Sequence, residues 1–244
     1  MIAVVTAVYG NAGTLRPLVR ELSDALDGRP FTVRLVIDAS PDASAQVAAD
    51  IAATDARVRV TSLAANVGQH RALAAGLAAE PDATVWVCLD ADLQDPPGAV
   101  PLLLDRLAAG GVEAVFAGRR GHYQTGGRQL TGRLHRFVVA HLTGLPSDAG
   151  AFVALGARAR AAVLSGHPPS VVVAVGAARL PVASLPVVRR SRPSGRSAWS
   201  SRARVLQSAR SIRWLLSRRA EDRFSGRSAA RAGRSASRAA RSAR

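Results

Sequence analysis

Thr84-Val85-Trp86-Val87-Cys88-Leu89 is apolar in all but its threonine and runs straight into Asp90-Ala91-Asp92-Leu93-Gln94-Asp95-Pro96-Pro97. A run without polar alternation is the pattern of a strand buried on both faces, as in a parallel sheet. Two carboxylates one residue apart, where such a strand leaves the sheet, can both reach one hard divalent cation or its water shell. Gln94 adds a carbonyl oxygen two residues on. Mg2+ and Mn2+ favour such ligands and share them with phosphates. The plainer alternative is that these residues only cap the next helix. The buried strand before the pair favours the metal reading, with Asp90, Asp92 and Gln94 as ligands of Mg2+ or Mn2+. The cation would offset charge on a diphosphate leaving group.

The same alternation extends outward from this stretch. Ile2 to Val8 is an apolar run ending at Tyr9-Gly10-Asn11, and Thr14 is placed to cap a helix with Leu15, Leu18, Val19, Leu22 and Leu26 on one face. Val33 to Ile37 stops at Asp38-Ala39-Ser40-Pro41-Asp42, and Val47 and Ile51 mark a second helix. Val58 to Leu63 predicts a third strand, Gly68 to Ala79 a helix, and Thr84 to Leu89 the fourth strand. Pro96-Pro97 opens a helix through Leu107, and Val112 to Phe116 is a fifth strand. Strands alternating with helices predict an α/β fold with a mainly parallel sheet and flanking helices. Ligands bind such sheets at the carboxyl ends of their strands. Tyr9-Gly10-Asn11, Asp38-Ala39-Ser40, Asp90-Ala91-Asp92 and Gly118-Arg119-Arg120 should therefore converge on one edge. Beyond residue 120 the pattern loosens. Arg128 to Leu142 and Ala157 to Leu164 read as helices, Leu145 to Phe152 as a loop, and Val182 to Val188 as a last strand.

Single candidates carry competing readings. Asp38 suits a nucleobase or ribose at the sheet edge, but also an Asx-turn or helix cap. Gly68, in Asn66-Val67-Gly68-Gln69-His70-Arg71, permits close backbone approach at a helix N-terminus, where anions are favoured, or is a plain loop-to-helix junction. Arg119, Arg120, Arg128 and Arg133 suit phosphate, with Arg120 best placed at a strand end. Asp148, in Pro146-Ser147-Asp148-Ala149-Gly150-Ala151-Phe152, reads equally as a general base or a turn residue. Cys88 reads as inert core.

Composition narrows the classes further. The 244 residues are 48% apolar, with net charge +16 and no lysine. Residues 1–188 carry 16 arginines against 15 acids, whereas residues 189–244 carry 17 against two. The basicity belongs to the end of the chain, so it does not make the whole protein a nucleic-acid binder. Residues 201–217 predict a basic amphipathic helix, and 218–244 a disordered Arg/Ser/Ala-rich tail. One cysteine excludes an internal disulfide and a CxxC metal site. No apolar run is long enough for a membrane span, and the N-terminus reads directly into a strand with no secretory signal. The expected location is therefore the cytoplasm. No GxSxG and no GxGxxG follow the first strand, which argues against a serine hydrolase and a dinucleotide cofactor.

The ordered set resembles family 2 glycosyltransferases of the GT-A fold. The stretches that carry it are Val4 to Asn11, Val36 to Asp42, Asn66 to Gln69 with Ala74 to Leu77, Leu89 to Pro97, Gly118 to Arg120, Pro146 to Phe152 and Arg192 to Ser197. Order and spacing are similar to the branch of dolichyl- and undecaprenyl-phosphate sugar transferases, over roughly residues 1–200 as one domain. The resemblance implies an inverting, metal-dependent transfer from a nucleotide-diphosphate sugar. It places nucleotide-sugar binding at Tyr9, Asn11, Asp38, Ser40, Gly68, Gln69, Asp90 and Ala91. It also places acceptor phosphate at Arg120 and Arg133. A lipid-phosphate acceptor needs no base; a hydroxyl acceptor makes Asp148 the candidate base. A lipid acceptor would bring peripheral contact with an anionic membrane at its inner face. The alternative is a protein that binds an anionic membrane or nucleic acid through its Arg-rich tail, with a degenerate GT-A body. The near absence of aromatic side chains from that tail makes nucleic acid the weaker of those partners.

Overall fold

A computed structural model of the chain describes residues 1–120, 140–190, 206 and 208–218. Seven strands form one sheet: β1 (Ile2–Val8), β2 (Phe31–Ile37), β3 (Val58–Ser62), β4 (Val85–Cys88), β5 (Ala114–Arg120), β6 (Val153–Leu155) and β7 (Val182–Val188). The helices are α1 (Ala12–Ala25), α2 (Ser44–Thr54), α3 (Gln69–Ala78), α4 (Val100–Ala108, after a 3-10 turn at Pro97–Ala99), α5 (Ala157–Leu164) and α6 (Val171–Ala177).

The strand order is β3-β2-β1-β4-β6-β5-β7. All neighbours are parallel except β6, which runs antiparallel to both β4 and β5. The order reverses between β1 and β4, and the carboxyl ends of those two strands flank the crevice that such a reversal opens. Because β6 is flanked by antiparallel partners on both sides, β5 points the same way as β1, β2 and β4. The four polar clusters therefore share one edge.

Alternate residues of each central strand feed two separate cores. Val4 and Val8 of β1, Val33 and Leu35 of β2, Val87 of β4 and Val115 of β5 pack with Leu15, Leu18 and Leu22 of α1, Ile51 of α2 and Leu103 of α4. On the other face, Ala3 and Val5, Val36, Trp86 and Cys88, and Phe116 pack with Leu73 and Leu77 of α3, Val163 of α5 and Ala174 of α6. The result is a three-layer sandwich with a mainly parallel sheet, as the alternation predicts. Gly76 lets α3 lie close to the sheet, since a Cβ there would come within 3 Å of methyl carbons of Val5 and Val36.

Several elements depart from the sequence reading. The three-residue β6 lies just past the predicted loop and is too short for a period to show. Helix α6 holds four valines in seven residues, against the strand preference of that residue. Burial on the α3 face decides it, and the Ser170 hydroxyl caps it by accepting from the Val173 N–H at 3.1 Å. Strand β5 extends through Gly118-Arg119-Arg120 rather than ending at Phe116. Thr14 is not the cap of α1: that position is Asn11, and Thr14 lies buried inside the first turn.

Candidate active site

The loop after β4 is held from several directions. Leu89 continues the pairing with β1 through its N–H to the Val5 carbonyl at 3.3 Å, and the Thr6 hydroxyl donates to the Leu89 carbonyl at 2.8 Å. The Thr14 hydroxyl donates to the Ala91 carbonyl at 2.6 Å. Ala91 is buried, which leaves Asp90 and Asp92 on either side of a fixed point. Leu93 takes a left-handed φ of 60°, and the Gln94 N–H then closes onto Asp92 Oδ1 at 3.0 Å.

Asp90 is drawn in from both sides. The Gln69 side-chain amide donates to its Oδ1. Arg189, one residue past β7, donates to its Oδ2 at 3.2 Å and, through Nε, to Asp95 Oδ1 at 2.6 Å. Arg190 follows with its N–H on the Gln94 carbonyl at 2.9 Å and its guanidinium on Glu21 at 2.7 Å. Burial works against the Arg189 charge, but Asp95 and Asp90, with Asp92 behind them, outweigh it and hold the guanidinium more firmly protonated than usual. Beneath them, burial first and the Asp90 charge second push the Cys88 thiol up to about 12. That keeps it a neutral core residue, as expected.

The donor set suits a hard divalent cation. Among the described residues Asp90, Asp92 and Asp95 set three carboxylates around the Arg189 guanidinium, and the buried Asp95 keeps an Oδ2 with no hydrogen-bond partner there. Among the described residues no three His, Cys, Asp or Glu side chains are grouped so as to hold a metal ion by themselves. Protein carboxylates would thus fill only part of a coordination sphere, the usual case for a cation shared with substrate phosphates.

Asp38 is buried and turned into the chain. Its two carboxylate oxygens accept the backbone N–H of Val67 at 2.7 Å and of Gly68 at 2.9 Å, and the Asn66 amide donates to its carbonyl at 3.3 Å. Gly68 has a φ of +87°, which favours glycine, and opens α3. Asp38 therefore seats the loop that delivers Gln69 to Asp90. Ser40 accepts the Gly10 N–H at 2.8 Å and donates to Asp42 at 2.6 Å. Asp42 accepts the Ala12 N–H at 3.1 Å, and Ser44 accepts that of Asn11 at 3.0 Å. The β2–α2 loop thus caps α1, while Asn11 Oδ1 takes the Tyr9 N–H at 3.2 Å and Tyr9 itself stays exposed.

Asp148 lies across the sheet at β5 and β7. It accepts from the Ser184 hydroxyl at 2.9 Å and packs so tightly on Gly118 that a Cβ there would fall within 3 Å of it. Arg120 ends β5 in register with Val188. Arg133 and Arg128, and the Arg192 to Ser197 stretch, lie outside the described residues, as does the tail from 219. The structure brings Gln69, Asp90, Asp92 and Gln94 together and adds Asp95 and Arg189. Arg189 was not a candidate in the sequence, because it opens the Arg-rich stretch and no local motif marks it. Its only signal is its place directly after an apolar strand.

Relatives share this domain but are longer. Over 148 residues the chain is 34% identical to the undecaprenyl-phosphate 4-deoxy-4-formamido-L-arabinose transferase of Pseudomonas paraeruginosa, a match covering 59% of the chain and 43% of that protein. A protein of the same name from an Enterobacter species is 32% identical over 146 residues, with 59% and 44% covered. The chain thus matches less than half the length of these curated relatives. Among solved structures, glucosyl-3-phosphoglycerate synthase from Mycobacterium tuberculosis, in complex with Mn2+, UDP and phosphoglyceric acid, superposes with a TM-score of 0.66 at 23% identity, covering 89% of this chain and 78% of that one. The mannosyltransferase PcManGT from Pyrobaculum calidifontis, in complex with GDP-Man and Mn2+, gives 0.62 at 18% identity, covering 87% and 64%. These likenesses establish the GT-A-like fold. The profile described as "Glycosyl transferase family 2" matches residues 3–152, from the first strand through the Asp90 loop to the edge of β6, and the chain belongs to that family.

Proposed function

We propose that the chain transfers a glycosyl group, with inversion, from a nucleotide-diphosphate sugar to a polyprenyl phosphate. The observation that carries this reading is the Asp90-Ala91-Asp92 loop, fastened at the reversal point of a family 2 sheet by Thr14, Gln69 and Arg189. Asp90 and Asp92 would hold Mg2+ or Mn2+, which supplies counter-charge to the diphosphate as it leaves. The names of the relatives support a phosphate acceptor. A phosphate oxygen, already ionised at neutral pH, attacks the anomeric carbon. The bond from that carbon to the diphosphate breaks, and the nucleoside diphosphate leaves with the electron pair, so no general base is required. Arg120 and Arg133 are the proposed grips for the acceptor phosphate.

A lipid acceptor lies at a membrane surface. Among the described residues no helix is long and apolar enough to cross a membrane. The helical residues 208–218 seat Ser211 and Leu215 against the body and leave Arg210, Arg213 and Leu216 exposed. That face supports peripheral contact with anionic lipid. Sedimentation with vesicles containing anionic lipid, compared with neutral vesicles, tests it.

The donor site is tested by thermal shift with UDP-, GDP- and dTDP-sugars, with and without Mn2+, on the protein and on Asp92→Asn. A ligand of the native state raises Tm by mass action. A Mn2+-dependent shift with one nucleotide, lost in the variant, is the expected result. No shift with any donor in folded protein overturns the reading.

A further inference from the structure

Arg189 stands where the proposed cation needs its ligands. Its side chain is 7% exposed, between Asp90 at 21% and Asp95 at 2%. The Asp90 carboxylate has one oxygen on Gln69 and the other on Arg189. A cation that draws on Asp90 must share or displace one of those donors. The guanidinium is not a loose surface charge that drifts away when a cation arrives. Asp95 grips its Nε at 2.6 Å, and the Arg190 N–H on the Gln94 carbonyl pins the backbone beside it. A positive group fixed at hydrogen-bond distance from Asp90 repels a dication strongly where burial lowers the local dielectric.

We propose that Arg189 is an internal counter-ion that competes with the divalent cation for Asp90 and so sets how tightly the site holds metal. This rests on the reading of Asp90 and Asp92 as the cation site. A purely structural tie makes the opposite prediction: removing it loosens the loop and weakens metal binding. The two roles differ in sign, which makes them separable without any activity measurement.

The experiment titrates Mn2+ into the full chain and reads the free ion by electron paramagnetic resonance. Four proteins are compared: wild type, Arg189→Met, Asp95→Asn and the double variant. Arg189→Met keeps an unbranched stem as far as the Nε position and removes the guanidinium charge, and is expected to bind Mn2+ at least tenfold more tightly than wild type. That variant strands a buried Asp95 charge and risks misfolding. The comparison of the double variant with Asp95→Asn avoids this, because neither leaves a charged Asp95, and the same direction is expected there. Tighter binding on loss of Arg189 in either folded background supports the proposal. Equal or weaker binding in every folded background overturns it. Absence of Mn2+ binding in all four proteins overturns the cation site itself, and the inference with it.

Discussion

The Thr14 hydroxyl donates to the Ala91 carbonyl at 2.6 Å, so the first helix of the fold holds the residue between the two metal-binding candidates. Thr14→Val keeps the shape and leaves that buried carbonyl unsatisfied. Such a loss costs about 1–3 kcal/mol, and urea unfolding should show a lowered midpoint with unchanged slope. Mn2+ affinity should fall as well, while Thr14→Ser restores both.

Asp38 uses both carboxylate oxygens on the N–H groups of Val67 and Gly68. Asp38→Asn turns an amide N–H2 toward one of these donors, with an expected loss of about 1–3 kcal/mol by urea unfolding. Donor binding should weaken through the misplacement of Gln69, and to a similar degree for UDP-, GDP- and dTDP-sugars. A loss confined to one nucleotide would instead mark Asp38 as reading the base directly.

Asp42 gives a pH dependence with a definite sign. Burial pushes its pKa up, but hydrogen bonds from the Ser40 and Ser44 side chains and from the Ala12 and Ser44 backbone outweigh that and bring it to about 2, from an ordinary 3.8. A carboxyl depressed in the folded state stabilises it above the unfolded value, and that contribution disappears as pH falls through the folded value. Asp42→Ala should therefore be less stable than wild type at pH 7. The gap should close between about pH 4 and pH 2 in melting experiments across that range.

Asp148 separates the two acceptor chemistries. Its contact with Ser184 and Gly118 survives in Asp148→Asn, whose amide oxygen still accepts from the hydroxyl. With a phosphate acceptor the variant should retain transfer within about tenfold of wild type. A loss of about 10²–10⁴ in kcat with unchanged Tm would make Asp148 a general base and the acceptor a hydroxyl.

The layout of the first 120 residues was readable because the central parallel strands β1, β2, β4 and β5 are buried on both faces and leave the sheet at polar clusters. Ile2–Val8, Ala157–Leu164 and Val182–Val188 even keep their predicted bounds. What could not be read depends on contacts between distant residues. Helix α6 is built from residues that favour strands, and only the face it buries makes it helical. Residues such as Asp38, Ser40 and Asn11 look like ligands at a strand end, yet their first partners are backbone groups of neighbouring loops. Arg189 lies 99 residues from Asp90, and no local pattern announces such a pairing.

That distance also orders events in time. Strands β1 to β4 pair through segments that succeed one another within the first 88 residues. The ties of Arg189 to Asp90 and of Arg190 to Glu21 close over 99 and 169 residues. Contacts so far apart form late, because the entropy of the intervening chain must be overcome before they contribute. During synthesis the acidic loop is therefore made long before its arginine, and a chain stopped short of residue 189 carries Asp90, Asp92 and Asp95 without it. The last strand is the step that turns a folded sheet into a finished site.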